Sequence, residues 1–424
     1  MICPNVTSTY QERKMKSMKQ PVSIVLCFVL CLLAFPAWAA DEEEPWAFGK
    51  VSGQLRYYYF TQRDDVDGQA SEDVKESLAL GGYLKYETPW IQDVFNGGVA
   101  MYTSQPFPET FNQTDRAGTN LLTSQNTGIT VLGEAYAKMN IQGVVSSLYR
   151  QKIETPLINS NDSRMVPQTY EAYILEYDED DLRLIGGWID KIKLRDTKRF
   201  RYMSEVTGAL DSSQRGMWMI GGEWAPDSFE SKVYYYAVPD YIQTSFFHLG
   251  ATHPLAEDLS WHWQLIGLDQ RSLGSEDAGD FNVAEGGALA GLTVSGFTMD
   301  VGGTIVDDTT DVTEWASYPF FNEMMGYSNN RAGEKALYLG ASYDFKRIGW
   351  NGFSTNVKAS FATTPDEGRT ASPDRNEYDL NMSYAFDGDL KGFSILNRWS
   401  YQESKGERDG VQVRLRLQYD FQLL

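Results

Sequence analysis

The chain has 424 residues, with 37 Lys and Arg against 58 Asp and Glu and a net charge of −21. That balance argues against nucleic acid and anionic membrane surfaces as partners. Its three cysteines, Cys3, Cys27 and Cys31, all lie near the N-terminus, so the remainder must hold together without disulfides.

The N-terminus reads as a leader. Arg13, Lys14, Lys16 and Lys19 precede an apolar run from Val22 to Phe35, then Ala37-Trp38-Ala39 and the acidic Asp41-Glu42-Glu43-Glu44. A basic segment, a short apolar run and an A-x-A site make a secretory signal peptide. The run falls short of the roughly 20 apolar residues a membrane helix needs. Cleavage is expected after Ala39, with Met15 or Met18 as alternative starts. Leu26 and Leu30, just before Cys27 and Cys31, disfavour a lipoprotein site. Residues 1–39 are thus expected as signal peptide and 40–424 as one domain.

After Phe35 no segment is apolar enough for a membrane helix, but alternation is pervasive. Val51, Gly53, Leu55, Tyr57 and Tyr59 interleave with Ser52, Gln54, Arg56 and Tyr58. Gly286-Gly287-Ala288-Leu289-Ala290-Gly291 reads as strand rather than phosphate loop, since no Lys follows. Glu377 to Phe386 alternates again. At the end, Val411, Val413, Leu415, Leu417, Tyr419 and Phe421 interleave with Gln412, Arg414, Arg416, Gln418 and Asp420. Successive side chains on a strand point to opposite faces, so each segment has one apolar and one polar face. About eighteen such segments occur, each near the ~9–11 residues that cross a bilayer as a tilted strand.

The connections alternate between short and long. Thr88–Phe95, Ile141–Gly143, Asp178–Asp181, Pro226–Ser228, Ala256–Asp258, Ser295–Gly296, Lys346–Asn351 and Asp387–Asp389 are short. Arg63–Asp73, Gln105–Gly128, Thr155–Gln168, Lys193–Arg215, Arg271–Asp280, Asp307–Gly333, Pro365–Asp374 and Ser404–Gly410 are long or polar; only Val238–Tyr241 breaks the pattern. Outer-membrane barrels pair short periplasmic turns with longer external loops. Aromatic clusters at segment ends, such as Tyr57-Tyr58-Tyr59-Phe60 and Tyr234-Tyr235-Tyr236, suit a membrane–water interface. The fold class is all-β: a transmembrane antiparallel β-barrel of about eighteen strands.

Several strings resemble the OprD (outer membrane porin D) family of porins. "LGEAYAKMNIQG" and "SSLYRQKIETPLINSNDSRMVPQTYEA" within 132–172 resemble the family's arginine-bearing strand and the Pro/Asp/Arg loop after it. "GGWIDKIKLRDTKRF" at 186–200, "DLNMSYAFDGDLKGFSILNRWSYQES" at 379–404 and the final "VQVRLRLQYDFQLL" extend the likeness over the whole mature chain. Tyr149 stands where a Gly before the arginine is usual, and the chain ends in Leu424 rather than an aromatic. The resemblance implies an inward-folded loop, a ladder of basic residues and passive diffusion of small, often carboxylate-bearing nutrients such as amino acids or organic acids. It also implies a Gram-negative outer membrane, lipid and lipopolysaccharide around the barrel, and a monomer or loose trimer. No cofactor is expected.

The candidate site residues follow. Arg414 and Arg416 lie two apart on the polar face of the last segment, about 6.6 Å along one wall. Arg398 takes the polar face of the segment before, and Arg56 that of the first, which must pair with the last to close a barrel. Arg150 and Arg183 extend this basic ladder. Such cations can bind carboxylates bidentately; the bland alternative is that they pair with lumen carboxylates such as Glu377 and Asp379. In Thr155–Gln168, Pro156 and Pro167 bracket a polar run, and the resemblance implies that Pro156, Asn159, Asp162 and Arg164 belong to a constriction loop. The acidic runs Asp64-Asp65-Val66-Asp67, Asp178–Asp181 and Asp307-Asp308 with Asp311 read as solvated turn charge rather than cation sites. His248, His253 and His262 are the only histidines; the first two, five apart, point to opposite faces and cannot share a metal. No serine elbow, thiol or metal-ligand set accompanies them, so neither a catalytic nor a metal site is expected. The rival readings are an occluded structural or adhesive barrel and a barrel-embedded hydrolase.

Overall fold

The structure, a computed structural model, describes residues 49–64, 73–108, 111–206, 214–277, 279–406 and 409–423. The signal peptide expected at 1–39 lies outside the described residues, as does part of Arg63–Asp73. Among the described residues the chain forms nineteen strands. The first seven are β1 (Lys50–Asp64), β2 (Asp73–Glu87), β3 (Phe95–Pro106), β4 (Ile129–Ile141), β5 (Val144–Gln151), β6 (Thr169–Glu179) and β7 (Leu182–Lys193). Next come β8 (Phe200–Tyr202), β9 (Met217–Trp224), β10 (Phe229–Val238), β11 (Ile242–Ala256), β12 (Leu259–Ser272), β13 (Asn282–Val294) and β14 (Phe297–Val306). The last are β15 (Lys335–Tyr343), β16 (Phe353–Thr363), β17 (Arg375–Ala385), β18 (Phe393–Ser404) and β19 (Gly410–Gln422).

Apart from β8, neighbours in sequence pair antiparallel, and β1 pairs both β2 and β19, so the sheet closes on itself. Closure leaves no strand edge, the one sheet arrangement in which a bilayer strands no backbone donor or acceptor. At the seam Ser52 to Asp64 face Gln422 to Gly410 without a slip. The barrel proper has eighteen strands. β8 is extra: β7 pairs directly with β9, and β8 adds only to the end of β7, at Lys191–Lys193. Three residues are too few to show a period, so this strand is invisible to alternation.

The two faces separate as the period demands. On β19, Val411, Leu415 and Leu417 are 37–42% exposed, while Gln412 and Arg414 are 3% and 4%. Val99, Leu132, Leu175, Ile220, Val233, Leu265, Val301, Leu337 and Trp399 join that outward apolar belt. The aromatic clusters correct one expectation. Tyr57 and Tyr59 keep to the outer face, but Tyr58, Phe60, Tyr234 and Tyr236 are buried inside. Consecutive aromatics on a strand cannot all face the interface.

What buries the inner rings is a set of long loops turned into the barrel. Leu121 and Leu122 of 107–128, and Met165 and Val166 of 152–168, pack with Tyr58, Phe60 and Tyr102. Ile153, Leu157 and Ile158 join Trp315, Tyr318 and Phe320 of 307–334 against Tyr170, Tyr234 and Tyr236. Each large apolar side chain taken from water contributes about 1.5–3 kcal/mol, which holds these loops inside rather than in solvent.

Candidate pore constriction

The 152–168 loop leaves β5 at Gln151 and re-enters the wall at β6. Its turn is built locally: Asn159 Oδ1 accepts from the Asn161 amide (3.0 Å), Asn161 Oδ1 from Ser163 Oγ (2.9 Å), and the Asn159 carbonyl from Tyr170 Oη (2.7 Å). Asn and Ser side chains favour such backbone-mimicking turns. Pro156 is half-buried before the apolar Leu157-Ile158 pair.

The tip of this loop docks on three other elements. Arg56 of β1 donates to Asp162 Oδ1 at 2.9 Å and to the Arg164 carbonyl. Arg164 donates from Nε to the Thr119 carbonyl at 3.1 Å. Asn161 donates to the Ala316 carbonyl at 2.6 Å, and the Ala316 amide donates to Leu157 at 3.1 Å. Three inward loops, 107–128, 152–168 and 307–334, therefore meet beside the β1–β19 seam.

Around that junction gather six arginines. Arg416 pairs in register with Tyr58 of β1 and Leu396 of β18, and Arg414 with Phe60 and Arg398. Phe60 lies between two guanidiniums, that of Arg414 at 4.6 Å from its ring centroid and that of Arg164 at 5.1 Å. Arg195, just beyond β7, donates to Asn161 Oδ1 (3.1 Å) and Ser163 Oγ (2.7 Å). Arg164 is pushed down to about 10, first by burial and then by the positive fields of Arg195 and Arg398. Arg195 is pushed down likewise, by burial and then by Arg414. These are groups close enough to repel one another.

Of the six, only Arg56 forms an ion pair within the described residues, with Asp162. Arg414 donates to the Met325 carbonyl and to Gln412 Oε1, both at 2.8 Å. Arg398 donates to Asn381. The buried Nε atoms of Arg414 and Arg416 have no hydrogen-bond partner among the described residues. The pairing with Glu377 and Asp379 is corrected: those carboxylates accept instead from the amides of Met325, Gly326 and Tyr327.

Arg150 and Arg183 behave differently. Arg150 binds Glu171 at 3.0 Å and lies over Phe200 of β8. Arg183 binds Glu176 at 2.6 Å and Glu223 at 3.2 Å, and donates to the Glu154 carbonyl at 2.8 Å. Tyr149, where the family pattern has glycine, takes φ = +80°, the left-handed region that glycine enters freely. His262 contacts Asp300 at 2.9 Å and His253 stacks on Trp261; among the described residues no cluster of three metal-type ligands occurs. Of the acidic runs, the one at 307–311 orders its loop: Asp311 accepts from the Ala332 amide (2.8 Å) and Asp307 from that of Ala284 (3.1 Å).

Sequence reasoning passed over Arg195, although its string was part of the resemblance, and assigned no role to Glu323 or Lys358. Glu323 is held above the usual carboxylate range by burial, with Lys358, Arg398 and Arg195 pulling the other way. Loop residues carry no period, so nothing in their spacing announces that they converge.

Comparison with known proteins places the fold and the family. The family model "outer membrane porin, OprD family" matches residues 47–423. No protein of the curated set matches the chain in sequence. Among solved structures, Pseudomonas aeruginosa OccK9 (OpdG) is 20% identical with a TM-score of 0.80, covering 88% of this chain and 98% of its own. Acinetobacter baumannii OccAB3 is 18% identical with a TM-score of 0.78, covering 88% and 99%. P. aeruginosa OpdK, solved with vanillate, is 18% identical with a TM-score of 0.76, covering 88% and 98%. The chain belongs to the OprD family: it is a porin of the Gram-negative outer membrane, a passive channel and not an enzyme.

Proposed function

We propose that this porin favours small carboxylate-bearing solutes, which it passes along the arginines at the β18–β19–β1 wall. One observation carries the reading: Arg164, Arg195, Arg398, Arg414 and Arg416 converge with no carboxylate in ion-pair range among the described residues, in a chain of net charge −21. A carboxylate leaving bulk water loses hydration, and guanidinium donors replace those contacts in pairs. Several weak, wet sites let an anion enter without being trapped. Pro156, Asn159, Asp162 and Arg164 would form one side of the narrow point, and Arg56 would anchor that side through Asp162. That OpdK was solved with vanillate, an aromatic carboxylate, is in keeping with this class. The barrel would work as a monomer or loose trimer, set in lipid and lipopolysaccharide.

Liposome swelling tests the reading. Arg414→Gln with Arg416→Gln should slow entry of a small carboxylate such as benzoate and leave a neutral sugar of similar size nearly unchanged. Equal loss for both solutes would mean that the arginines only shape the lumen.

A further inference from the structure

We infer that Glu377 and Asp379 are positioning residues of the pore, a carboxylate clamp that fixes the inner end of the 307–334 loop and, through it, Arg414. They stand two apart on the inner face of β17, 0% and 3% exposed. Three consecutive amides point at them. Met325 donates to Asp379 Oδ2 at 2.9 Å, Gly326 to Glu377 Oε1 at 2.8 Å and Tyr327 to Glu377 Oε2 at 2.8 Å. Successive amides make a concavity suited to an anion, and here the barrel wall supplies the anion itself. On the far side of the same peptide, the Met325 carbonyl accepts from Arg414 at 2.8 Å. Clamp, peptide and arginine form one continuous chain from β17 to β19.

Two further features support the clamp. Ser400 donates to Glu377 Oε1 at 2.7 Å, and Gln402 adds a longer contact at 3.4 Å, so β18 aims the carboxylate. Gly326 brings the loop close to the wall: a Cβ there would fall 1.7 Å from Gln402 Nε2 and 3.0 Å from Gln412 Nε2, so a side chain at this position must push aside the Gln402 amide that reaches Glu377. Among the described residues no cation is in ion-pair range of these carboxylates. Lys358, the register partner of Asp379, donates to the Glu323 carbonyl at 3.4 Å, and Arg398 to Asn381. The two acids therefore act on permeation first by holding a loop, since their direct hydrogen bonds go to its backbone and not to the arginines. This rests on the arginine wall being the selective element, but the loop-holding itself does not.

Planar-bilayer recording of the full refolded chain in potassium chloride separates position from charge. In Glu377→Gln with Asp379→Asn the current should flicker among sub-levels, with the widest about twofold more conductive, as a wider wet pore carries more ions. Gly326→Leu, which leaves both carboxylates and every strand residue in place, should flicker likewise. Gly326→Cys with Gln402→Cys, oxidised in the clamp-deficient background, should restore a quiet current that reduction abolishes. Asp300→Asn, a charge control whose carboxylate bonds His262 of the wall and no loop backbone, should shift reversal potential without noise. Quiet currents in both the clamp-deficient and Gly326→Leu channels, with only a reversal-potential shift in the former, would overturn the clamp. Flicker that leaves the carboxylate-to-sugar ratio untouched would keep the clamp and remove the carboxylate reading.

Discussion

Arg183 and Arg414 both sit on inward strand positions, yet they are treated in opposite ways. In the β5–β10 sector four basic side chains of the wall meet acid, while Lys193 at the end of β7 donates to the Pro167 and Leu194 carbonyls. Arg150 and Lys191 share Glu171, Arg183 bridges Glu176 and Glu223, and Lys232 faces Glu223 and Glu230. At β18 and β19 Arg398 and Arg414 meet carbonyls and side-chain amides, only Arg56 of β1 meets an acid, the loop's Asp162, and Glu377 is taken up by loop backbone. A cation matched within the wall fastens strand to strand and has little left for a solute. A cation left unmatched costs the fold something and keeps its donors for whatever passes.

The largest test moves an arginine to the wrong side of the same strand. Leu415→Arg puts the charge in the lipid belt and should cost ~2–4 kcal/mol near the midplane, whereas Gln412→Arg or Gln418→Arg should be far milder. Heat-modifiable gel mobility reads the folded yield; equal yields would dissolve the inner–outer distinction. Next, Arg183→Gln strands the Glu176 carboxylate, leaves Glu223 with only Lys232 and Tyr234, and should lower stability by about 1–2 kcal/mol, while Arg416→Gln should leave it nearly unchanged. Equal denaturant midpoints for the two variants would erase the difference between the sectors.

Smaller effects concern permeation. Arg414→Gln with Arg416→Gln should reduce carboxylate entry about tenfold, the equivalent of about 1.4 kcal/mol, and Arg183→Gln should not. Salt should blunt the wild-type preference as the Debye length shrinks below ~8–10 Å; a preference indifferent to salt would point to shape rather than charge. Mild acidification should move ion preference towards anions. Burial holds Glu323, and Glu314 with it, above the usual carboxylate range, so they lose their negative charge first as the pH falls. Reversal potentials across pH should flatten in Glu323→Gln; an unchanged slope would remove Glu323 as the source.

The strands were legible because a bilayer imposes a period of two on every crossing segment, and β19 shows it residue by residue. The alternation of loop lengths pointed to an antiparallel barrel, with the short 239–241 connection as its one exception. The strand arginines could be placed on the inner face by the same rule. What no period could show is the inside of the lumen. Whether Glu377 meets Arg398 or the Gly326 amide depends on where a loop 51 residues away in sequence comes to rest. Arg195 was passed over for that reason, and Tyr58 and Phe60 were assigned to the membrane interface because only the folded loops reveal that the inner aromatics have a dry place to go.

The seam between β1 and β19 has a consequence for assembly. Arg56 reaches Gln418 across 362 residues of sequence, and Phe60 meets Arg414 over a similar span. Contacts of such separation form late, since the chain entropy of the intervening loop must be lost first. The arginine wall is therefore completed by the same event that removes the last open strand edges. A chain that has not closed has neither a membrane-competent sheet nor a selective passage, so an unfinished barrel cannot act as a discriminating pore.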